Sequence, residues 1–517
     1  MPRTSRAVLL MSLLALVTLT TLGCGGGGGG GGGTTAIVEA PIDLSGLAQP
    51  SSFSSSGFPV TQSTVTIPSF PNTARSATVF VNPRTSGSAG QLGATLGTVA
   101  SLRAAARPSA NGPGLQEAPG AAVQRWLRAQ EAAMPPVTAG RPRGSLAAAP
   151  RAVVVGEQTT FQLPATKTPT TVTAVCRKIT PLPGGTGNVC FFLDTSDSYN
   201  TTTQNLINTL STYWTDQIYG KVRSVFGAEP GAEFNGVALG NDITVLITSK
   251  LLAIDPTLAG FFYSGDLYQA SSVQGGVSNE RKMFYITRNA ELTDITIAST
   301  MAHEFQHMVN FYQRKLNGLE EAVWLNEAMS GYSEHVCGFS AAVNNQSKAL
   351  QINMYFEATT MPATSLTEWA ETHAQYGLVY MFGTWLGSRF SPNKDGTVSS
   401  LLASRAVGEN AVAAFTGTSF EKAISQFFVA LYVNNQSDAV YGIPGLDLKG
   451  TFVYGSGLAD VTLTGPQPPV VQSGFPYNTG SVSLAPRAAF AVELSQGNGS
   501  ALTLNFAGGA SAFEMHK

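Results

Sequence analysis

The sequence predicts an α+β fold: a mixed β-sheet lobe, then a helical lobe, then a small β-rich segment. Three observations carry this expectation. Short β-branched and aromatic runs cluster between Val153 and Leu193, helix-period apolar patterns dominate from Asn205 to Val433, and short alternating runs return after Leu446. The 517 residues are ample for a buried core. Only 12% are charged, where about 25% is usual, which excludes highly charged disorder and coiled coil. A net charge of −2 lacks the basic excess of a nucleic-acid partner, so none is expected. The 55 glycines exceed the ordinary share and point to low-complexity stretches beside the folded part.

The N-terminus supplies the first of these. Arg3 and Arg6 precede the apolar run Ala7 to Leu22, the basic and hydrophobic regions of an export signal and too short for a membrane span. The run ends in Thr21-Leu-Gly-Cys24, which resembles the lipobox of a bacterial lipoprotein, whose cysteine is acylated; Thr21 departs from the leucine usual at that place. Residues 1–24 are therefore expected to be a lipoprotein-type signal with Cys24 as the lipidation site. The chain would lie outside the cytoplasm, anchored in the membrane of the bacterial envelope by its lipid, or secreted. Gly25 to Gly33 is an unbroken glycine run, suited to a flexible tether. Residues 25–150 read as a low-complexity tether or propeptide; residues 1–150 carry ten Arg, no Lys and four acids, a net +6. Within this stretch Val123 to Met134, with Trp126, reads as a helix.

Folded texture begins near residue 151, with strands expected at Val153–Leu163, Thr170–Ile179 and Asn188–Leu193. Cys176 and Cys190 flank a Pro-Leu-Pro-Gly-Gly turn, and in an exported chain that spacing predicts a cross-strand disulfide. Cys337 reads as a small buried apolar side chain. Asn205 to Phe226 has helical spacing and stops at Gly227; Ile243–Ile247 and Met283–Ile286 are short buried strands.

Next stands His303-Glu-Phe-Gln-His307, an H-E-x-x-H pattern, for which this composition gives on the order of 0.003 chance matches. On a helix, histidines at i and i+4 share one face, so both imidazoles reach a single zinc ion, with Glu304 beside it. The helix is expected because Ile297, Met301, Phe305, Met308 and Tyr312 recur at its period. Zinc hydrolysis needs a third protein ligand. Glu327, in Trp324-Leu-Asn-Glu327, follows His307 by 20 residues, enough for a turn at Asn317-Gly318 and a returning helix. Glu334, seven residues on along the same face, is placed to accept a hydrogen bond from a ligand histidine. Gly331 between them reads as a site of close helix approach at the metal.

These motifs, with Ala-Met-Ser-Gly-Tyr-Ser between Glu327 and Glu334, resemble those of the gluzincin metallopeptidases, most closely the hyicolysin family. Gly260-Phe-Phe, Ser278-Asn-Glu280 before Met283-Phe-Tyr-Ile286, and Tyr376-Gly-Leu-Val-Tyr-Met-Phe382 match as well, over roughly Val153 to Asn435. The resemblance implies a zincin, thermolysin-like catalytic domain over residues 151–445. It also implies Zn2+ held by His303, His307 and Glu327, with Glu304 as the base that activates water against protein or peptide substrates. Ala328 departs from the glycine common after the ligand glutamate. The Trp-Leu-Asn-Glu stretch is also similar to that of gluzincin aminopeptidases, but their amine-holding Gly-x-Met-Glu-Asn is missing, which favours an endopeptidase of extracellular proteins. A surface lipoprotein that binds zinc without turnover is the remaining alternative, and an intact Glu304 weighs against it.

Gln375 to Phe390 and Phe420 to Val433 read as buried helices. Tyr376 and His373, near the start of the former, are the two candidates for a donor to the oxyanion; Tyr376 is favoured because the aminopeptidases use a tyrosine at a broadly similar distance beyond the ligand glutamate. Residues 446–517 form the β-rich C-terminal segment, with strands at Ala489–Leu494 and Leu502–Phe506 and an exposed His516 near the end.

Overall fold

The computed structural model describes nearly all of residues 113–137, most of 152–516, and the strands and turns between 42 and 104. The signal, the glycine run and Cys24 lie outside the described residues.

The central sheet has six strands, β1 Gln158–Leu163, β2 Thr170–Pro181, β3 Asn188–Asp194, β4 Ile243–Thr248, β5 Gly260–Phe261 and β6 Met283–Thr287, in the order β5-β6-β4-β3-β2-β1. β3, β4 and β6 run parallel, and the outer strands are antiparallel. β4 reads Ile-Thr-Val-Leu-Ile-Thr and is buried throughout, the signature of a central strand covered on both faces. At the edge, a Cβ on Gly260 would meet Tyr285 O at 2.6 Å and Thr300 Cγ2 at 2.9 Å. Glycine there lets β5 lie against the helix that carries His303.

Five helices matter for the site: α1 Ala121–Ala133, α2 Asp294–Leu316, α3 Val323–Val336, α4 Gln346–Phe356 and α5 His373–Phe390. α2 starts where Thr293 Oγ1 accepts the Thr296 N–H at 3.1 Å; Asp294 opens it and Arg314 and Lys315 close it, both complementing the helix dipole. Gly318, at φ 69°, turns the chain back toward α3. The helix expected from Asn205 begins earlier, at Thr201, because Asn200 accepts the Thr203 N–H at 3.0 Å. Its middle, Trp214–Ile218, is a π-helical turn that buries Trp214 4.9 Å from the Phe305 ring of α2. One apolar core runs through the sheet and these helices.

Three expectations need correction. The first is the disulfide. Cys176 and Cys190 are buried free thiols: antiparallel register sets Cys176 opposite Phe192 and Cys190 opposite Ile179, with a bulge between Cys176 and Lys178, so the two never face each other.

The second concerns the tether half of the tether-or-propeptide reading of residues 25–150, and with it residues 446–517, read as a small β-rich segment. Arg75–Val81 pairs with both Ala489–Ser495 and Ser511–His516, while Leu502–Gly508 lies between Gln62–Ile67 and Ser88–Leu96. Ser54–Pro59 covers the far side of Ser511–His516, so His516 sits in a paired strand. The two ends of the chain thus build shared sheets. The third is Gly331, where a Cβ would make only ordinary contact with Tyr380 at 3.5 Å. The tight approach belongs to Gly383 of α5, which faces Ala328 O of α3.

Candidate metal centre

α2 sets the His303 and His307 rings one turn apart and edge-on to each other, centroids separated by 4.7 Å. α3 returns antiparallel and lays Glu327 across both: His303 Nε2 is 3.4 Å from Glu327 Oε2, and His307 Nε2 is 3.6 Å from Glu327 Oε1. One ligand atom from each residue falls within 4.8 Å of the others. His307 Nε2 and Glu327 Oε1 are buried with no hydrogen-bond partner. A buried polar atom left so costs about 1–3 kcal/mol, and two converging on one point with a third donor fit a cation. Two imidazoles and one carboxylate are a catalytic zinc donor set, with a coordination position left open.

The opposite ring nitrogens are committed elsewhere. His303 Nδ1 lies 2.8 Å from Glu334 Oε1, and His307 Nδ1 lies 3.0 Å from both Asn326 Oδ1 and Ser330 Oγ. Each contact leaves Nε2 as the donor toward the metal. Glu334 is itself saturated: Lys348 Nζ stands 3.0 Å from Oε1, and Ser299 Oγ and Asn345 Nδ2 donate to Oε2 at 2.6 and 2.9 Å. Ser299, Asn345 and Lys348 were not anticipated from the sequence. The latter two come from the cap and first turn of α4, and no motif marks them.

Burial shapes the charges. It opposes charge on His303, yet the hydrogen bonds that His303 donates to Glu327 and Glu334 override it and raise the pKa to about 10; burial lowers that of His307 to about 3. Although burial pushes the other way, the pKa values of Glu327 and Glu334 fall to about 2, the first through His307 and His303, the second through Lys348 and His303. Glu304, 3% exposed, is pushed up to about 7 by burial, against the pull of His303, and its Oε2 accepts the Phe262 N–H at 2.8 Å.

His303, Glu304, Glu327, Glu334 and Tyr376 line one cleft of about 450 Å³. Tyr376 enters from the first turn of α5, which Thr372 and Gln375 close with a reciprocal capping box. Its ring meets Trp369 edge-on at 5.1 Å, and burial raises its hydroxyl pKa well above the ordinary value. His373 lines a separate depression with Glu117, Gly120 and Asp255, which parts the two donor candidates. α1 and the residues just before it stand on the cleft as well: Ala118 and Gln124 line it, and the Arg128 guanidinium acts electrostatically on Glu304, Glu327 and Tyr376.

No family model matches the chain. It is 30% identical over 157 residues to the neutral metalloprotease ShpI of Staphylococcus hyicus, covering 28% of this chain and 33% of that protein, so it spans about a third of that relative's length. Among solved structures, an M1 zinc metallopeptidase from Deinococcus radiodurans aligns over 53% of this chain and 59% of its own, with 13% identity and a TM-score of 0.27. A point mutant of that enzyme aligns over the same shares with 12% identity and the same score.

Proposed function

We propose that the chain is a zinc-dependent peptidase that hydrolyses internal peptide bonds. One observation carries the reading: three donor atoms within 4.8 Å of one another, two of them buried and unpartnered, beside a carboxylate that is not one of the three. His303, His307 and Glu327 would hold zinc, whose chemistry there is Lewis-acid polarisation. The chain's own groups do the rest. Glu304, oriented by the Phe262 amide and with its affinity for a proton raised toward neutrality, takes a proton from the attacking water and passes it to the nitrogen of the leaving amine. Tyr376, which lines the same cleft, supports the oxyanion.

The endopeptidase form of the proposal draws on the missing Gly-x-Met-Glu-Asn stretch, and the export-signal pattern supports extracellular protein substrates. A lipid on Cys24 would hold the enzyme at the envelope, and partition of wild type but not Cys24→Ser into the detergent phase tests that. Among the described residues no helix is long and apolar enough to cross a membrane.

Metal analysis alongside casein hydrolysis with and without chelator tests the activity. Glu304→Gln should keep stoichiometric zinc and lose about 10²–10⁴ in turnover, the usual worth of a general base. Glu327→Ala should lose both. Undiminished turnover in Glu304→Gln overturns the mechanism.

A further inference from the structure

We propose that Pro113–Pro136 is a strap across the catalytic cleft that sets substrate length: while docked, it slows entry of a polypeptide running through the cleft and favours short peptides, and its displacement opens the site to the internal bonds of longer chains. The inference rests on the peptidase reading and adds to it which substrates reach the site.

The segment precedes the sheet lobe in the chain but is tied to both walls of the cleft. On the helical side, Ala118 N–H donates to Glu371 O at 2.7 Å and His373 N–H donates to Gln116 O at 3.2 Å, a pair of backbone bonds just before Tyr376. Arg125 Nη1 sits 2.6 Å from Glu371 Oε2, a carboxylate only 4% exposed. Gly114 lies so close to α4 that a Cβ would meet Met354 O at 2.6 Å. On the sheet side, Trp126 stacks on Tyr263 at 5.7 Å and 12°, and Tyr268 Oη donates to Pro135 O at 3.2 Å. Tyr263 follows directly on Phe262, whose amide holds Glu304.

Between these anchors α1 passes the reactive groups. A helix with its side chains is about 10–12 Å across, wide enough to close the end of a cleft whose two walls it touches. Arg128 carries its own counter-charge, Glu131 at 2.7 Å one helical turn on. Glu131 thus offsets part of the positive charge that Arg128 turns toward Glu304 and Glu327. The chemistry described so far needs none of Arg125, Trp126 or Gly114.

The test compares the full-length wild type with the full-length double variant Arg125→Ala/Trp126→Ala, both zinc-loaded, on a fluorogenic tetrapeptide and on casein. Wild type should favour the tetrapeptide. The variant should gain about tenfold or more in kcat/KM on casein, equivalent to about 1.4 kcal/mol, while the tetrapeptide value stays within about twofold. Hydrogen exchange at the Ala118 and His373 amides of the metal-free chain reads release without turnover: it should be slow in wild type and fast in the variant. Three results overturn the strap: wild type cleaving casein as readily as the tetrapeptide, the variant raising both rates alike, or the variant lowering both.

If neither substrate is cleaved by either zinc-loaded protein, the peptidase reading fails. The strap is then judged on Glu304→Gln forms binding a tetrapeptide hydroxamate and a roughly 20-residue peptide. Equal discrimination with and without the strap contacts refutes it.

Discussion

Glu334 is not one of the three grouped donors, yet it holds together a histidine, a lysine, a serine and an asparagine from two helices and a cap. That arrangement explains how much of the site could be read from the sequence. His303, Glu304, His307 and Glu327 were legible because metal chemistry demands particular residue types at helix spacings. Ser299, Asn345 and Lys348 meet Glu334 only through tertiary packing, which no spacing encodes. Tyr376 lies between these cases: it was singled out by resemblance to the aminopeptidases' tyrosine, it lines the cleft, and its role is tested by removal of one atom. Tyr376→Phe should lower kcat by about 10²–10³, the cost of an oxyanion donor, with zinc content and melting temperature unchanged. A fall of less than about threefold would make Tyr376 a packing residue. Asp266 makes a second prediction. Fully buried, it accepts from Tyr285 Oη at 2.7 Å and from Asn279 N at 2.8 Å, tying the turn after Phe262 to Ser278-Asn-Glu280. Burial raises its pKa from 3.8 to about 7 in spite of those bonds. Because the folded value lies above the unfolded one, its contribution to stability is complete below about pH 4 and is lost as the pH rises through 7. Asp266→Asn does not titrate, so its melting temperature should gain on wild type between about pH 4 and 8, by an equivalent of up to roughly 4 kcal/mol. A difference that stays flat with pH would show that burial does not perturb this carboxyl.

Helices α3 and α5 approach closely because α5 carries glycine where α3 presents backbone and a tyrosine: Gly383 against Ala328 O, and Gly387 against Tyr332. The sequence displays all of these glycines, but the reading placed the close approach at Gly331, since that residue lies between two site glutamates. Helical period shows which residues share a face, not which of two facing glycines the partner backbone presses on. The two cases separate by mutation. Gly383→Ala drives a methyl into Ala328 O and should cost about 1–3 kcal/mol, less the roughly 1 kcal/mol that alanine returns as a better helix former. Gly331→Ala has room beside Tyr380 and should be neutral or stabilising by up to about 1 kcal/mol. Denaturant midpoints decide it, and the reverse order would locate the contact at Gly331. Helix and strand positions were otherwise well read wherever apolar period was strong. Phe420–Val433 matches the expected bounds, and β4 and β6 extend theirs by one residue.

Whole-molecule organisation was the part the sequence hid. Ser88–Leu96 is rich in Ser, Ala and Gly, Arg75–Val81 is a short Thr-Val-Phe-Val run within a low-complexity stretch, and the strands they pair with lie at the other end of the chain; Asn82 Nδ2 reaches Ala485 O across 403 residues. A strand whose partner is so remote carries no local turn signal, so composition alone reads it as linker. The shared sheets dock on the helical lobe through Arg487, which reaches Glu409 at 2.6 Å and Glu421 at 3.2 Å, and through Ala485 N–H to Pro362 O at 3.0 Å. Glu409 and Glu421 are 28% and 49% exposed, so losing Arg487 leaves no carboxylate stranded in the core. This predicts how truncations behave. A chain ending at Leu463 loses Ala489–Ser495, Leu502–Gly508 and Ser511–His516 and leaves the N-terminal strands with open edges, so it should bind zinc but self-associate. Removing residues 1–112 as well takes away those edges while keeping the strap, and should restore a zinc-binding monomer. Light scattering and metal analysis of both chains test the pair. If the singly truncated chain is monomeric, or the doubly truncated one aggregates, the two ends do not complete each other, and the catalytic body depends on the β module for its own fold.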